Sequence, residues 1–483
     1  MNFTNFKKCI NAITSFGLLP LLIALAMSTV IKAQNANEQS VVGKKIEVIN
    51  QVASVDKTKD ATEVENRAIS PTVALYFDPQ QGSSSDDLIK LSLTSSRELA
   101  AARLDIDRAR ARLRQAGLRP NPTIDFEQTT GRLSGSPGER STSIGVALPL
   151  EIGGRRQRRI ELAQAELAAA EAEFADRQRR LGGEVLALFT EALAALRELE
   201  TTEGLINLDL QTVKFVQARV NEGETAPLEL NLLQAEVERL RSRRILLEGR
   251  LQGSLIRLKT LVGMDINEPL RLREDLANPI SLRQPTGSVE TLIEVALRTR
   301  PDVLLARLNE EAARAGLRLA NAQAKPDVTV SARYNQDRRI TDLPQPFEPI
   351  SDSGRTLAFG VSIGIPVFNK NQGATIEAAV AITQAQTRRE FVERAVRGEV
   401  TDAFTRFQAA RTAAVNFEQS VITRSMENIR VIRASYELGA FTISELIAEQ
   451  RRLVELQREL TELLTERYRA LADLQTAIGI PVK

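Results

Sequence analysis

The side chains able to do chemistry in this sequence are almost all carboxylates and guanidiniums. Among 483 residues there is no His and no Trp, and the single Cys is Cys9. No Ser-His-Asp or Cys-His nucleophile system can be assembled, and beyond Cys9 neither imidazole nor thiolate is left to hold a metal. Two carboxylates stand out by position. Glu229 lies six residues after Gly223 and Glu445 six after Gly439, with 216 positions separating each pair. Both fall where a helix would begin, a place the helix dipole favours for an acid. Arg155, Arg156, Arg158 and Arg159 do the opposite, opening a helix with positive charge. They read either as a solvated face or as a surface for anionic lipid headgroups or neighbouring Glu. No acid, base and nucleophile recur at a usable spacing, so neither an enzyme nor a cofactor is expected. Lys+Arg 64 against Asp+Glu 62 leaves no basic excess for nucleic acid.

The elements that must position these residues are mostly helices, introduced by an export signal. Lys7 and Lys8 precede an apolar run from Phe16 to Ile31 that is short for a membrane span and interrupted by Pro20. It reads as a signal peptide over 1–33, cleaved after Ala33. No Cys follows to accept a lipid. A polar leader, expected to be extended or poorly ordered, occupies 34–85.

The remainder is a duplication. The segment from Leu88 matches that from Leu292, and Pro122 aligns with Pro326 at an offset of 204. Pro149 aligns with Pro366 at 217, and Gly223 with Gly439 at 216. The repeats cover 86–264 and 289–480, with a linker at 265–288. Each reads as a helix (87–118; 290–324), two alternating strands, a very long helix (155–221; 371–437), a Gly turn and a shorter helix (228–262; 443–478).

The strands are expected at 122–130 and 141–150, then at 326–335 and 355–367. The long helices carry heptad spacing, with a second apolar stripe at Leu186, Phe189, Leu193 and Leu196. At 1.5 Å per residue, 155–221 would span roughly 100 Å. Period-2 stretches of this length are the signature of membrane β-strands, and four strands close no useful barrel, so several chains would contribute. A soluble hairpin has the same pattern.

With the turn segments "VNEGETAPLELNLLQAE" and "YELGAFTISELIAEQ" added to that order, the chain resembles the TolC-like outer-membrane efflux proteins over about 86–480. "PLEIGGRRQRRIELA" and "IPVFNKNQGATIEAA" resemble the junctions of the heavy-metal, cobalt–zinc–cadmium type subclass. The resemblance implies a mainly α fold with a small β part. It would form a homotrimer with a twelve-stranded outer-membrane β-barrel in outer-membrane lipid, continued by a twelve-helix periplasmic α-barrel.

It further implies a passive exit duct for divalent heavy-metal cations in a tripartite pump. The partners would be a periplasmic adaptor (membrane fusion) protein and a proton-driven inner-membrane transporter of the resistance-nodulation-division type. Glu229 and Glu445 would then ring the aperture, with a second acidic ring put in doubt by Ala448. Arg219, Val220, Gly223, Ala226, Leu228, Tyr436, Gly439, Ala440 and Ile443 would form the periplasmic tip that meets the adaptor. Pro149, Gly153, Gly154, Arg155, Arg156, Pro366, Asn369, Asn371 and Gly373 would form the strand-to-helix junctions. The competing reading is a soluble or surface-attached periplasmic coiled-coil scaffold.

Overall fold

A computed structural model describes residues 70–131, 138–279, 286–341 and 343–479, together with 282 and 284. The expected signal peptide, the leader up to residue 69 and parts of the linker lie outside the described residues. A short helix α1 (Pro71–Ala74) precedes α2 (Ser85–Ser95) and α3 (Arg97–Ala116). Strands β1 (Thr123–Thr130) and β2 (Arg140–Leu150) lead to α4 (Arg155–Asn221) and α5 (Pro227–Val262). The second repeat gives α6 (Val289–Thr299), α7 (Pro301–Gln323), β3 (Asp327–Thr341), β4 (Ile350–Gly364), α8 (Gln372–Asn416), α9 (Thr423–Glu437) and α10 (Ile443–Ile478).

Several expected elements are corrected. The helices expected at 87–118 and 290–324 are each broken. Ser96 is extended (φ −65°, ψ 120°) because its hydroxyl caps α3 by accepting from the Leu99 N–H. Arg300 is extended (φ −68°, ψ 127°) because Pro301 follows it. The second long helix is interrupted by a π-helical turn, Phe417–Ile422. β3 and β4 are 15 residues each, longer than expected. Their polar ends, such as Gln336–Arg339, read as loop but are held in a continuous ladder as far as Thr341↔Ile350. β4 stops at Gly364, before the Pro366 that lacks a ladder donor.

The end of the leader is also ordered. The Asp78 N–H donates to Leu272 O (2.9 Å), the Leu272 N–H to Tyr76 O (2.8 Å) and the Ser83 N–H to Arg271 O (2.8 Å). Gly82 permits this approach, since a Cβ there would stand 2.7 Å from Leu272 C. Ser84 and Asp87 form a capping box on α2. The buried Glu274 accepts from the Ser85 N–H (2.8 Å) and from the Tyr468 hydroxyl (3.1 Å).

The chain divides into two compact units. The sheet-bearing unit comprises Leu75–Arg197, Gly249–Ala413 and Glu462–Lys483. Both stripes of α4 are buried there: Leu181 and Val185 on one, Leu186, Phe189, Leu193 and Leu196 on the other. A helix covered on two sides explains why it carries two stripes. The four strands form one antiparallel sheet in the order β1-β2-β3-β4.

The turn-bearing unit contains Glu198–Glu248 and Ala414–Thr461. Its core is an apolar cluster around Val216, Leu233, Tyr436, Ile443 and Leu446, and a second around Ile206, Leu240, Ile429 and Leu453.

Candidate functional site

The sheet sorts its side chains by face. Residues directly opposite in a ladder share a face. Ile124, Val146, Ala332 and Phe359 form one such row, and Phe126, Ile144, Tyr334 and Leu357 the next. This face is apolar and uncovered: Ile124 is 75% exposed, Phe359 78% and Val361 66%. A half-buried soluble hairpin would hide such a face against a core.

The other face is polar and acidic. It carries Asp125, Glu127, Asp327, Asp337 and Asp352 against Arg333 and Arg339. Arg333 lies within 3.8 Å of Asp125 and 3.7 Å of Glu127. Gly145 makes room between them, because a Cβ there would meet Asp125 Oδ2 at 3.1 Å. Small residues, Gly354, Ala358, Gly360 and Ser362, line this face of β4.

The junction residues are held by the ends of helices. The Arg155 guanidinium donates to the Ala322 and Gln323 carbonyls (3.2 and 3.0 Å) and also reaches the Lys325 carbonyl and Asp327. Arg156 Nε donates to Gly117 O (2.7 Å), and Arg159 to Leu118 O (3.1 Å) and to Glu151. Arg158 pairs with Glu161 (2.7 Å). Three of the four arginines therefore donate at the C-terminal ends of α3 and α7, where carbonyls lack helical donors and the dipole favours a cation.

In the second repeat Asn371 does the equivalent work, donating to Ala320 O (2.9 Å) from a left-handed backbone (φ 60°). Gly153 (φ 76°) and Gly154 (φ 79°) bend the chain into α4. Pro149 lies inside β2 opposite Thr329, whereas Pro366, Asn369 and Gly373 flank the entry to α8.

The two glycine turns share one geometry. After α4, the Gly223 N–H donates to Val220 O (3.1 Å) and the Glu224 N–H to Arg219 O (2.9 Å). After α9, the Gly439 N–H donates to Tyr436 O (2.9 Å) and the Ala440 N–H to Ser435 O (2.8 Å). These are paired Schellman closures with Gly at φ 76° and 75°.

The two glutamates that follow are used differently. Glu445 accepts from the Thr442 N–H (2.8 Å) and hydroxyl (3.0 Å), closing a capping box on α10. Glu229 accepts from the Tyr436 hydroxyl at 2.9 Å, a bond between the repeats. Tyr436 is 3% exposed, and burial with the adjacent carboxylate pushes its phenol well above the usual range.

The other expected tip residues gather around this bond. Val220 and Ile443 pack with Tyr436 in one cluster. Arg219 pairs with Glu224 (3.3 Å) and stacks on Phe215, whose ring meets Tyr436 edge-on. Ala226 accepts from the Glu229 N–H (3.1 Å), and Leu228 stands 65% exposed.

Sequence reasoning missed a buried polar layer in the same unit. Asp209 is 2% exposed and accepts from Gln450 Nε2 at 2.6 Å. Glu236 beside it accepts from Arg239 and from Arg451 (2.8 Å). Burial first, and then the Glu236 charge, push the Asp209 carboxyl up to about 6. The readable signal was an acid on the apolar seam, between Ile206 and Val213 at steps of three and four.

The family model for outer membrane efflux proteins matches residues 88–264 and 292–480. The chain belongs to the outer membrane efflux protein family. It is an outer-membrane protein of transport, and that family consists of channels rather than enzymes. The cobalt-zinc-cadmium resistance protein CzcC of Cupriavidus metallidurans is 23% identical over 81% of this chain and 88% of its own length. The pyoverdine export outer membrane protein OpmQ of Pseudomonas putida is 26% identical, covering 82% and 85%. The cation efflux system protein CusC of Escherichia coli is 24% identical, covering 81% and 85%. A crystal structure of CusC, 23% identical, superposes with a TM-score of 0.66 over 83% of this chain and 92% of that one. This efflux protein thus shares the fold of known outer-membrane channels.

Proposed function

We propose that the chain is one third of a trimeric exit duct that carries divalent heavy-metal cations outward. The observation that carries the reading is the sheet: an uncovered apolar face backed by a polar one, with β1 and β4 open at its edges. In lipid an open edge leaves backbone groups unpaired, so β4 of one copy pairs with β1 of the next until the sheet closes. Three copies give twelve strands and place the acidic face in the lumen. Five carboxylates, of which Asp327 is taken by Arg155, face only Arg333 and Arg339 per chain, and the acidic excess attracts cations there, which supports a cationic cargo. The name of CzcC points to the same cargo, whereas that of OpmQ points to pyoverdine.

The paired glycine turns form the periplasmic end, where Glu229 and Glu445 line the aperture and Leu228 meets an adaptor. A proton-driven inner-membrane transporter of the resistance-nodulation-division type delivers the cargo through that adaptor, and the duct itself does no work.

Deleting the gene and growing the strain with cobalt, zinc or cadmium tests the cargo, and membrane fractionation tests the duct. Metal sensitivity and a heat-modifiable trimer in the outer-membrane fraction are expected. Sensitivity confined to hydrophobic drugs would overturn the cargo, and a soluble monomer would overturn the duct.

A further inference from the structure

The apolar face of the sheet ends in arginines. Past the row of Phe126, Ile144, Tyr334 and Leu357, the next rows on the same face bring Arg355 and then Arg140 and Arg338. Arg140 stands directly opposite Arg338, and Arg355 is diagonal to Arg338 across β3 and β4. All three are exposed, and none forms an ion pair with another described residue.

Like charges facing each other across a ladder destabilise a sheet. No acid on this face offsets them, because every carboxylate of the four strands stands on the opposite face. An anion from outside the chain is what the cluster fits.

Position decides which anion. The row lies at the hairpin-loop end of the strands, away from the helix junctions, and borders an apolar band with Tyr334 at its edge. Tyr marks the membrane–water boundary, where an aromatic ring sits at headgroup level. Two residues along a strand is about 7 Å, so the guanidiniums stand just beyond the hydrocarbon. A ligand with acyl chains against Phe126 and Leu357 would bring its polar head to Arg140, Arg338 and Arg355. The planar guanidinium fork matches a phosphate bidentately.

We infer that Arg140, Arg338 and Arg355 form a binding row for the phosphate groups of phosphorylated lipid in the outward-facing leaflet. This rests on the barrel reading above. The row fixes the height at which the barrel rides in the membrane, and phosphate binding relieves the repulsion between Arg140 and Arg338.

The test reconstitutes the purified oligomer in phosphatidylcholine vesicles containing bis-phosphorylated lipid A or lipid A stripped of phosphate. Mass spectrometry then measures the lipid retained by the re-extracted protein. The wild type should retain the phosphorylated form preferentially. Changing all three to Gln should weaken retention by about five-fold per arginine, on the order of a hundred-fold together. The triple Lys variant should keep most of the preference. Arg339→Gln, next in sequence but on the other face, should match the wild type.

A Gln variant that inserts and keeps the preference overturns the inference and leaves the barrel standing. Full displacement of the lipid by inorganic phosphate reassigns the row to a free anion and also overturns it. Failure of the wild type to float with vesicles sinks the barrel reading and the inference together.

Discussion

The Tyr436 hydroxyl donates to Glu229 at 2.9 Å, joining the last turn of α9 in the second repeat to the first turn of α5 in the first repeat. The donor ring is buried beside Val216 and Leu446, and the acceptor is half-exposed. The bond therefore ties the two glycine turns to one another. Tyr436→Phe keeps the ring and removes the donor. The expected cost is about 1 kcal/mol of local stability. Hydrogen exchange in 213–233 and 432–447 should quicken several-fold, with exchange in the sheet unchanged. Unaltered exchange in both segments would show that the bond holds nothing.

Asp209 gives the turn-bearing unit a pH dependence of definite sign. Burial pushes its carboxyl up to about 6 when folded, from an ordinary 3.8, so the folded state holds the proton more tightly. Stability from this group is complete below about 4 and is lost as the pH rises through about 6. The difference is worth on the order of 3 kcal/mol. The facing groups are Glu236 and Arg239 on α5, Arg433 on α9 and Gln450 on α10. Glu236, although buried, is held low by Arg239 and Arg451 and does not share the transition. Asp209→Asn should stabilise this unit at pH 8 and flatten its pH profile between 4 and 7. Protease sensitivity of 198–248 across that range reads the effect, and a wild-type profile in the Asn variant would refute it.

Gly223 and Gly439 have open space where a Cβ would project, so Ala at either meets only the left-handed backbone. Each change should cost about 1–2 kcal/mol. Gly249 also has open space but lies within α5, and Gly249→Ala should stabilise by about 0.5–1 kcal/mol. Thermal unfolding of the three variants checks the opposite signs, and a common sign would show that the turns are not strained as described.

Val361 and Ser362 are neighbours on opposite faces of β4. On the barrel reading, Val361→Lys puts a charge on the lipid face at a cost of about 2–4 kcal/mol near mid-bilayer, and Ser362→Lys puts the same charge in the lumen. Trimer yield in the outer-membrane fraction should fall sharply for the first and little for the second. Equal yields would mean that neither face meets lipid.

Much of this was legible in the sequence because period is a local property. The duplication, the helix α4 and strands β1 and β2 follow from spacing alone, to within a residue or two at their ends. The longer β3 and β4 did not, since Gln336–Arg339 carry loop-like side chains and are held only by partners on the other strand. The breaks at Ser96 and Arg300 carried signals, a capping Ser and a following Pro, that helical periodicity overrode.

At the candidate site, the twin glycines announced the turns, and the shared offset announced Glu229 and Glu445. Their divergence did not show, because Thr442 that boxes Glu445 is local whereas Tyr436 that holds Glu229 is 207 residues away. The arginines from 155 to 159 read as a face for solvent, anionic lipid or neighbouring Glu, and Arg158 and Arg159 do meet Glu161 and Glu151. Arg155 and Arg156 instead donate mainly to backbone carbonyls at the ends of α7 and α3, and no side-chain pattern can announce a carbonyl.

The pairing of β2 with β3 sets an order of events for biogenesis. Each hairpin can form from neighbouring residues, but Leu150 meets Val328 only after the long helical excursion between them has been made. Closing so large a loop is slow compared with forming helices. Until it closes, the sheet exists as two separate amphipathic hairpins. The β2–β3 pairing is therefore the last of the three ladders to form, and only then do Asp125 and Glu127 of one repeat meet Arg333 of the other.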